Sequence, residues 1–343
     1  MSNVQKNPLT WMLKGQRKCS AIYSDHVAEQ HTPRSLIVTF YGAYGRGGAP
    51  RGGGGVGSGR GGEPGGSGEP GGSGGPPGRA LGVGPGGESA AVPIAALIRL
   101  LGAVDVDPPS VRSAVSRLKR RGLLASARTA SGAAGYALSD AARQLLDDGD
   151  RRIYDPPAVR LDDGWVLAVF SVPEQERHKR HLLRSRLARL GFGTAAPGVW
   201  IAPAHLLEES RHTLERLELA DYVDLFTGTH AGFEATGRSV ARWWDLDGIA
   251  KLHREFLETH EPMLRRWSRR RAASRTDPAE AYRDHLLMLD SWRHIPYADP
   301  GLPAALLPED WPGGRSAKVF GELRGRLREM GAEFTAGVLT GGN

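Results

Sequence analysis

Between Asp107 and Leu138 the hydrophobic and polar positions repeat first with a helical and then with a strand period. Val111, Ala114, Val115 and Leu118 fall within an arc of about 100° at helical spacing, while the opposite face carries Arg112, Ser113, Ser116, Lys119 and Arg120. Asp107 ahead of Pro108 and Pro109 predicts the helix start, an N-cap followed by proline where backbone N–H groups lack partners. Gly122 predicts the stop. Leu123-Leu124-Ala125 continues extended, Ser131 to Gly135 predicts a turn, and Tyr136 and Leu138 a return strand. With an apolar helix over Pro93 to Leu101 and a turn near Gly102, the order is helix, helix, hairpin, that of a winged helix-turn-helix. The ordinary alternative is a solvated basic helix in another fold.

Upstream, Pro33 opens Ser35 to Tyr41, a predicted first helix with Leu36, Phe40 and Tyr44 on one face. A strand competes there, because β-branched and aromatic residues dominate. Ser139 predicts a cap for a helix over Asp140 to Asp148. Trp165 to Phe170 is a continuous apolar strand, followed by a basic amphipathic helix over Glu174 to Leu190 that stops at Gly191. A hairpin through Phe192-Gly193-Thr194 and Val199-Trp200-Ile201 turns at Pro197-Gly198. A helix over Leu206 to Leu217 and a strand over Tyr222 to Thr227 complete β-α-β-β-α-β, a ferredoxin-like order with both helices on one sheet face. From Gly237 the chain reads as helical, with apolar periodicity over Val240 to Leu257, Ala281 to Trp292 and Val319 to Met330.

The predicted architecture is therefore α+β and multidomain. It comprises an N-terminal arm over 1–31, a winged helix domain over 32–152, a ferredoxin-like domain over 158–235 and a helical domain over 237–343. Gly45 to Gly87 interrupts the winged helix domain with Gly, Pro, Ser and Arg, and is read as a disordered insertion over 46–88, because no apolar set there offsets the ordering entropy. Its Arg46, Arg51 and Arg60 allow an RNA-binding reading, against which stands a plain expanded surface loop. A net charge of +7 favours a polyanionic partner. The single cysteine, Cys19, excludes an intrachain disulfide framework and fits a reducing, cytoplasmic setting. No apolar run approaches the roughly 18 residues of a membrane span, so no membrane partner is expected.

Four blocks in order carry a resemblance. They are Ser110 to Leu118; Leu190-Gly191-Phe192-Gly193 through Ala196-Pro197-Gly198-Val199-Trp200-Ile201; Trp244-Asp245-Leu246; and Trp292-Arg293-His294-Ile295-Pro296 with Asp299-Pro300-Gly301-Leu302-Pro303 and Leu306 to Gly313. With these blocks the chain resembles the PaaX-type transcriptional repressors of phenylacetate catabolism from about Pro33 to Phe334. The resemblance implies a winged helix, a central domain shaped like the small CRISPR-associated adaptation nuclease, and a helical C-terminal region. It further implies homodimeric binding to double-stranded operator DNA, relieved by an aryl-CoA thioester, phenylacetyl-CoA in the type members. The glycine-rich insertion and the N-terminal arm depart from the family's usual pattern.

On this reading Arg112, Ser113, Ser116 and Arg120 face the groove, where arginine pairs with guanine and serine reaches base or phosphate. Arg117, Lys119 and Arg121 flank them as phosphate contacts. Arg128, at the start of the wing, reaches an adjacent phosphate or the minor groove, or is an ordinary exposed arginine, and Tyr136 packs the wing on its core. Trp243, Trp244, Trp292 and Trp311 offer rigid apolar surface for an aryl group, with Arg293 and Arg242 nearby for CoA phosphates; ordinary helical core is the competing role for each indole. The rival enzyme reading needs a carboxylate at the end of the first ferredoxin-like strand to hold a metal. That strand ends Phe170-Ser171-Val172-Pro173; Asp162 and Asp163 precede it, and Glu174 stands alone after it. His178 and His181 lack the zincin glutamate, and no P-loop occurs. The expectation is a binding protein with no catalytic residues, metal or cofactor.

Overall fold

The computed structural model describes residues 31–45, 90–154, 156–157, 159–270 and 277–341. The N-terminal arm and the glycine-rich insertion lie outside the described residues. Helix α1 (Pro33–Ala43) settles the local competition with a strand: Thr32 caps it by accepting from the Ser35 N–H, and proline occupies the first turn. Leu36, Ile37, Phe40 and Tyr41 are fully buried along its inner face. Helix α2 (Ile94–Gly102) and helix α3 (Pro108–Arg120) follow, then strands β1 (Leu124–Arg128) and β2 (Ala134–Leu138), paired antiparallel. Ala134 and Gly135 already belong to β2, so the turn is shorter than the sequence predicts. Its reversal falls at Gly132, which adopts φ 81°.

Helix α4 (Asp140–Tyr154) starts at the predicted cap, with Ser139 Oγ accepting from the Ala142 N–H. It runs a turn and a half beyond the predicted end, through Gly149, because its last turns dock: Tyr297 lies against Gly149, and Trp292 donates to the Ile153 carbonyl at 3.0 Å.

The middle of the chain has the predicted strand and helix order. Strands β3 (Trp165–Phe170), β4 (Gly193–Ala196), β5 (Val199–Pro203) and β6 (Val223–Gly228) form one antiparallel sheet in the order β4-β5-β3-β6. Helices α5 (Arg177–Arg189) and α6 (Leu207–Arg216) cover one face, where Leu183, Leu187 and Leu214 meet Val166, Ala168, Trp200 and Ala202. The predicted helix start at Glu174 is a short 3-10 turn, and the α-helix begins at Arg177. Alternate residues Trp165 and Ile201 point to the other face, against Trp244, Val240, Ile249 and Leu302. Two covered faces explain why β3 reads as unbroken apolar sequence.

The remainder is helical: α7 (Thr236–Trp243), α8 (Leu246–Arg269), α9 (Pro278–Trp292), the short α10 (Ile295–Ala298) and α11 (Gly313–Leu339). The continuous period expected over Val240 to Leu257 is broken, because Asp245 caps α8 by accepting from the Gly248 N–H at 3.0 Å. Tyr282, Leu286 and Val338, from α9 and α11, join the core built by α1, α2 and α3. The helix-helix-hairpin unit and the C-terminal helices thus share one core.

Candidate nucleic-acid interface

Helix α3 is built as its period predicts. Asp107 Oδ1 accepts from the Ser110 N–H at 2.9 Å, and the hydroxyl and amide of Ser110 hold the Asp107 carboxyl below the usual range. Val111, Ala114, Val115 and Leu118 are all buried, and each of the larger three contributes roughly 1.5–3 kcal/mol by leaving water. The other face stays in solvent: Arg112, Ser113, Ser116, Arg117, Lys119, Arg120 and Arg121 are exposed. The helix contains no carboxylate, so nothing within it neutralises that face. Gly122, at φ 71°, ends it.

Two devices orient α3. Asp105, in the turn from α2, takes a left-handed φ of 62° and pairs with Arg283 of α9 at 2.6 Å. Arg283 also donates to the Ala103 carbonyl at 3.3 Å, so a C-terminal helix clamps the turn that aims α3. At the other end Ser139 donates to the Gly122 carbonyl at 2.6 Å and ties α3 to α4. The hairpin is anchored by Tyr136, whose backbone bridges to Val92 and whose carbonyl accepts from Tyr41 at 2.6 Å. Arg128 is exposed, but its guanidinium donates to the Gly132 carbonyl at 2.8 Å and braces the hairpin turn.

The tryptophans expected to form one pocket divide between two core clusters. Trp243, Trp244 and Trp311 gather with Trp165 behind the sheet, whereas Trp292 stacks on Phe320 at 4.5 Å among α8, α9 and α11. Trp244 is buried and donates to the Gly191 carbonyl at 2.9 Å. Trp292 is buried too, with its N–H on Ile153. Trp243 and Trp311 remain half-buried. Between the clusters sits His253, its ring edge-on to Trp292 and Trp311, with Nδ1 2.6 Å from Ser316 Oγ and Nε2 2.9 Å from Asp299 Oδ2. Arg293 lies 3.6 Å from Asp290, and Arg242 pairs with Glu234.

The residues weighed for catalysis have local roles. Asp163 accepts from the Arg160 N–H, Glu174 pairs with Arg180, and His178 and His181 are exposed on α5. Among the described residues no group of three His, Cys, Asp or Glu side chains is placed to hold a metal ion. No described helix is long and apolar enough to cross a membrane.

Three family models fall on the chain in order. The PaaX-like protein model covers residues 84–142, the PaaX protein central Cas2-like domain 158–240, and the PaaX-like protein C-terminal domain 244–337. The chain belongs to the PaaX family. The Cas2-like match spans β3 through β6, and the C-terminal match spans α8 through most of α11. A curated relative, transcriptional repressor PaaX of Escherichia coli K12, is 26% identical over 257 residues, covering 73% of this chain and 78% of that protein. Among solved structures, uncharacterized protein Rv0674 from Mycobacterium tuberculosis matches with 24% identity and a TM-score of 0.48. That match covers 72% of this chain and 92% of the other.

Proposed function

We propose that this PaaX-family chain is a transcriptional repressor that binds double-stranded operator DNA through α3. The helix-helix-hairpin unit is then a winged helix-turn-helix with the hairpin as its wing. The observation that carries the reading is the division of α3 into a fully buried apolar stripe and an exposed Arg/Ser/Lys face with no carboxylate. The repressor name of the relative supports it. Arg112, Ser113, Ser116 and Arg120 read bases, Arg117, Lys119 and Arg121 hold phosphates, and two copies bind as a homodimer on paired half-sites.

The test uses a duplex selected from a random library by the wild-type protein. Arg112→Ala or Arg120→Ala should cost about 1–3 kcal/mol on that duplex and little on random DNA. Lys119→Ala should weaken both and flatten the salt dependence. If both arginine variants bind the selected duplex like wild type at matched salt, α3 is not the reading helix.

The effector reading is an aryl-CoA thioester that releases DNA. Half-buried Trp243 and Trp311 are the indoles with surface to offer an aryl group; buried Trp244 and Trp292, and Arg293 in its contact with Asp290, would respond from behind. A hundredfold release requires about 2.7 kcal/mol of differential binding between the two states. Calorimetry should find micromolar phenylacetyl-CoA binding, about −8 kcal/mol, with free phenylacetate far weaker. Bound DNA should weaken the thioester by the factor by which the thioester weakens DNA. Equal thioester affinity with and without DNA would remove the effector half and leave the DNA-binding half standing.

A further inference from the structure

Two described helices carry at least four Lys or Arg and no carboxylate: α3, discussed above, and α5 on the Cas2-like domain. In α5 the inner face buries Leu183 and Leu187 against the sheet. Two of its cations are committed at its start, where Lys179 pairs with Glu176 at 3.1 Å and Arg180 with Glu174 at 3.1 Å. The solvent side presents Arg177, His178, His181, Arg184 and Arg189, all exposed. At the C-terminal end the positive charge accumulates further. Arg186 is partly withdrawn from water, its Nε makes no hydrogen bond, and burial, together with Arg189 and Arg216, lowers its pKa. A partly withdrawn guanidinium beside other cations favours the approach of an anion. On α6, Glu209 takes Arg152, and Glu208 and Glu215 are exposed.

The fold also fixes where this surface lies. Helix α4 begins beside the end of α3, through Ser139 and Gly122, and ends beside the end of α5. There Arg152 donates to the Leu190 carbonyl at 2.7 Å and the Arg189 carbonyl at 3.3 Å. At 1.5 Å per residue this strut is about 22 Å long, less than the roughly 34 Å of one duplex turn. The C-terminal ends of the two basic helices thus lie within the span of one duplex turn.

We propose that the solvent face of α5, through Arg177, Arg184 and Arg189, is a second contact for the phosphate backbone of the DNA held by α3. It adds affinity and footprint without reading sequence. The inference rests on the repressor reading above and extends it to the Cas2-like domain.

The experiment compares Arg177→Ala/Arg184→Ala/Arg189→Ala with wild type on two duplexes. One is the selected site; the other is a random-sequence duplex of the same length. On both the variant should lose about tenfold in affinity, with a salt slope smaller by roughly 0.9 for each phosphate contact removed. A loss confined to the selected site would mean that α5 reads bases and would overturn the proposal. A charge-matched control, Lys251→Ala/Arg254→Ala/Arg265→Ala on α8, should leave both unchanged. Wild-type behaviour of the α5 variant on both duplexes overturns the proposal. So does an equal loss from the α8 control, or a loss seen on duplex RNA and not on DNA. If the α3 variants abolish binding while the α5 variant does not, only this contact falls; if the α3 variants bind normally, the repressor reading falls first.

Discussion

The carboxylate of Asp290, fully buried on α9, accepts the hydroxyl proton of Ser35 on α1 at 2.6 Å. The same oxygen accepts from Thr39 at 2.7 Å, and the second oxygen accepts from the His31 N–H at 2.7 Å. One charge on the C-terminal helices thus gathers three donors from the segment that packs under α3. Asp290→Ala should strip all three donors of their acceptor and destabilise the protein by about 3 kcal/mol or more in urea unfolding. Faster amide exchange in α1 than elsewhere should accompany it. An unfolding midpoint like that of wild type would show that the junction is not held by this charge.

Gly193 on β4 has no room for a side chain. A Cβ there would lie 2.7 Å from the Trp243 carbonyl oxygen and 2.7 Å from the Trp244 indole. Gly193→Ala should therefore cost about 1–3 kcal/mol and shift tryptophan emission. Gly228→Ala, on the edge strand with open space around it, should do neither.

Acid should weaken the fold before carboxylates titrate. Burial, with Arg324 and Arg328 nearby, lowers His285 to about 3, and burial, with His31, lowers His260 to about 4. In the unfolded chain both return to about 6.5, so between these values the unfolded state binds more protons and stability falls as pH drops. Each histidine contributes up to about 1.4 kcal/mol per pH unit through that window. Urea titrations at pH 7.5, 6 and 5 should show the decline, and His260→Phe, beside Phe256, should reduce its slope. A flat profile over that range would contradict both assignments.

Gly45 and Ala90 are neighbours in space, with the Ala90 N–H donating to the Gly45 carbonyl at 3.2 Å. Replacing residues 46–89 with a four-residue turn should therefore leave the helix-hairpin unit folded. It should raise the unfolding free energy by no more than about 2 kcal/mol, since closure entropy grows only logarithmically with loop length. Loss of DNA binding with folding intact would assign the segment's arginines (Arg46, Arg51, Arg60 and Arg79) to the DNA.

Much of the exposed cationic face of α3 was legible because it depends on local period. The stripe through Val111 and Leu118 places Arg112, Lys119 and Arg120 outside whatever the helix packs on. Misplaced boundaries came from tertiary contacts overriding local signals: α4 continues through Gly149 because Tyr297 and Trp292 dock its last turns. The indoles were less legible, because aromatic residues serve cores and pockets alike, and only packing put Trp292 in a different cluster from Trp243 and Trp311.

By itself, the sequence determined most of the element types and their order. Caps at Asp107 and Ser139, stops at Gly122 and Gly191, and side-chain period act within a few residues and need no partner. Tertiary structure alone decided that α1, α9 and α11 share a core, that Asp290 gathers Ser35, Thr39 and His31, and that Arg283 clamps the turn at Asp105. Those contacts join residues far apart in the chain, and no local period encodes which distant donor a buried carboxylate will meet.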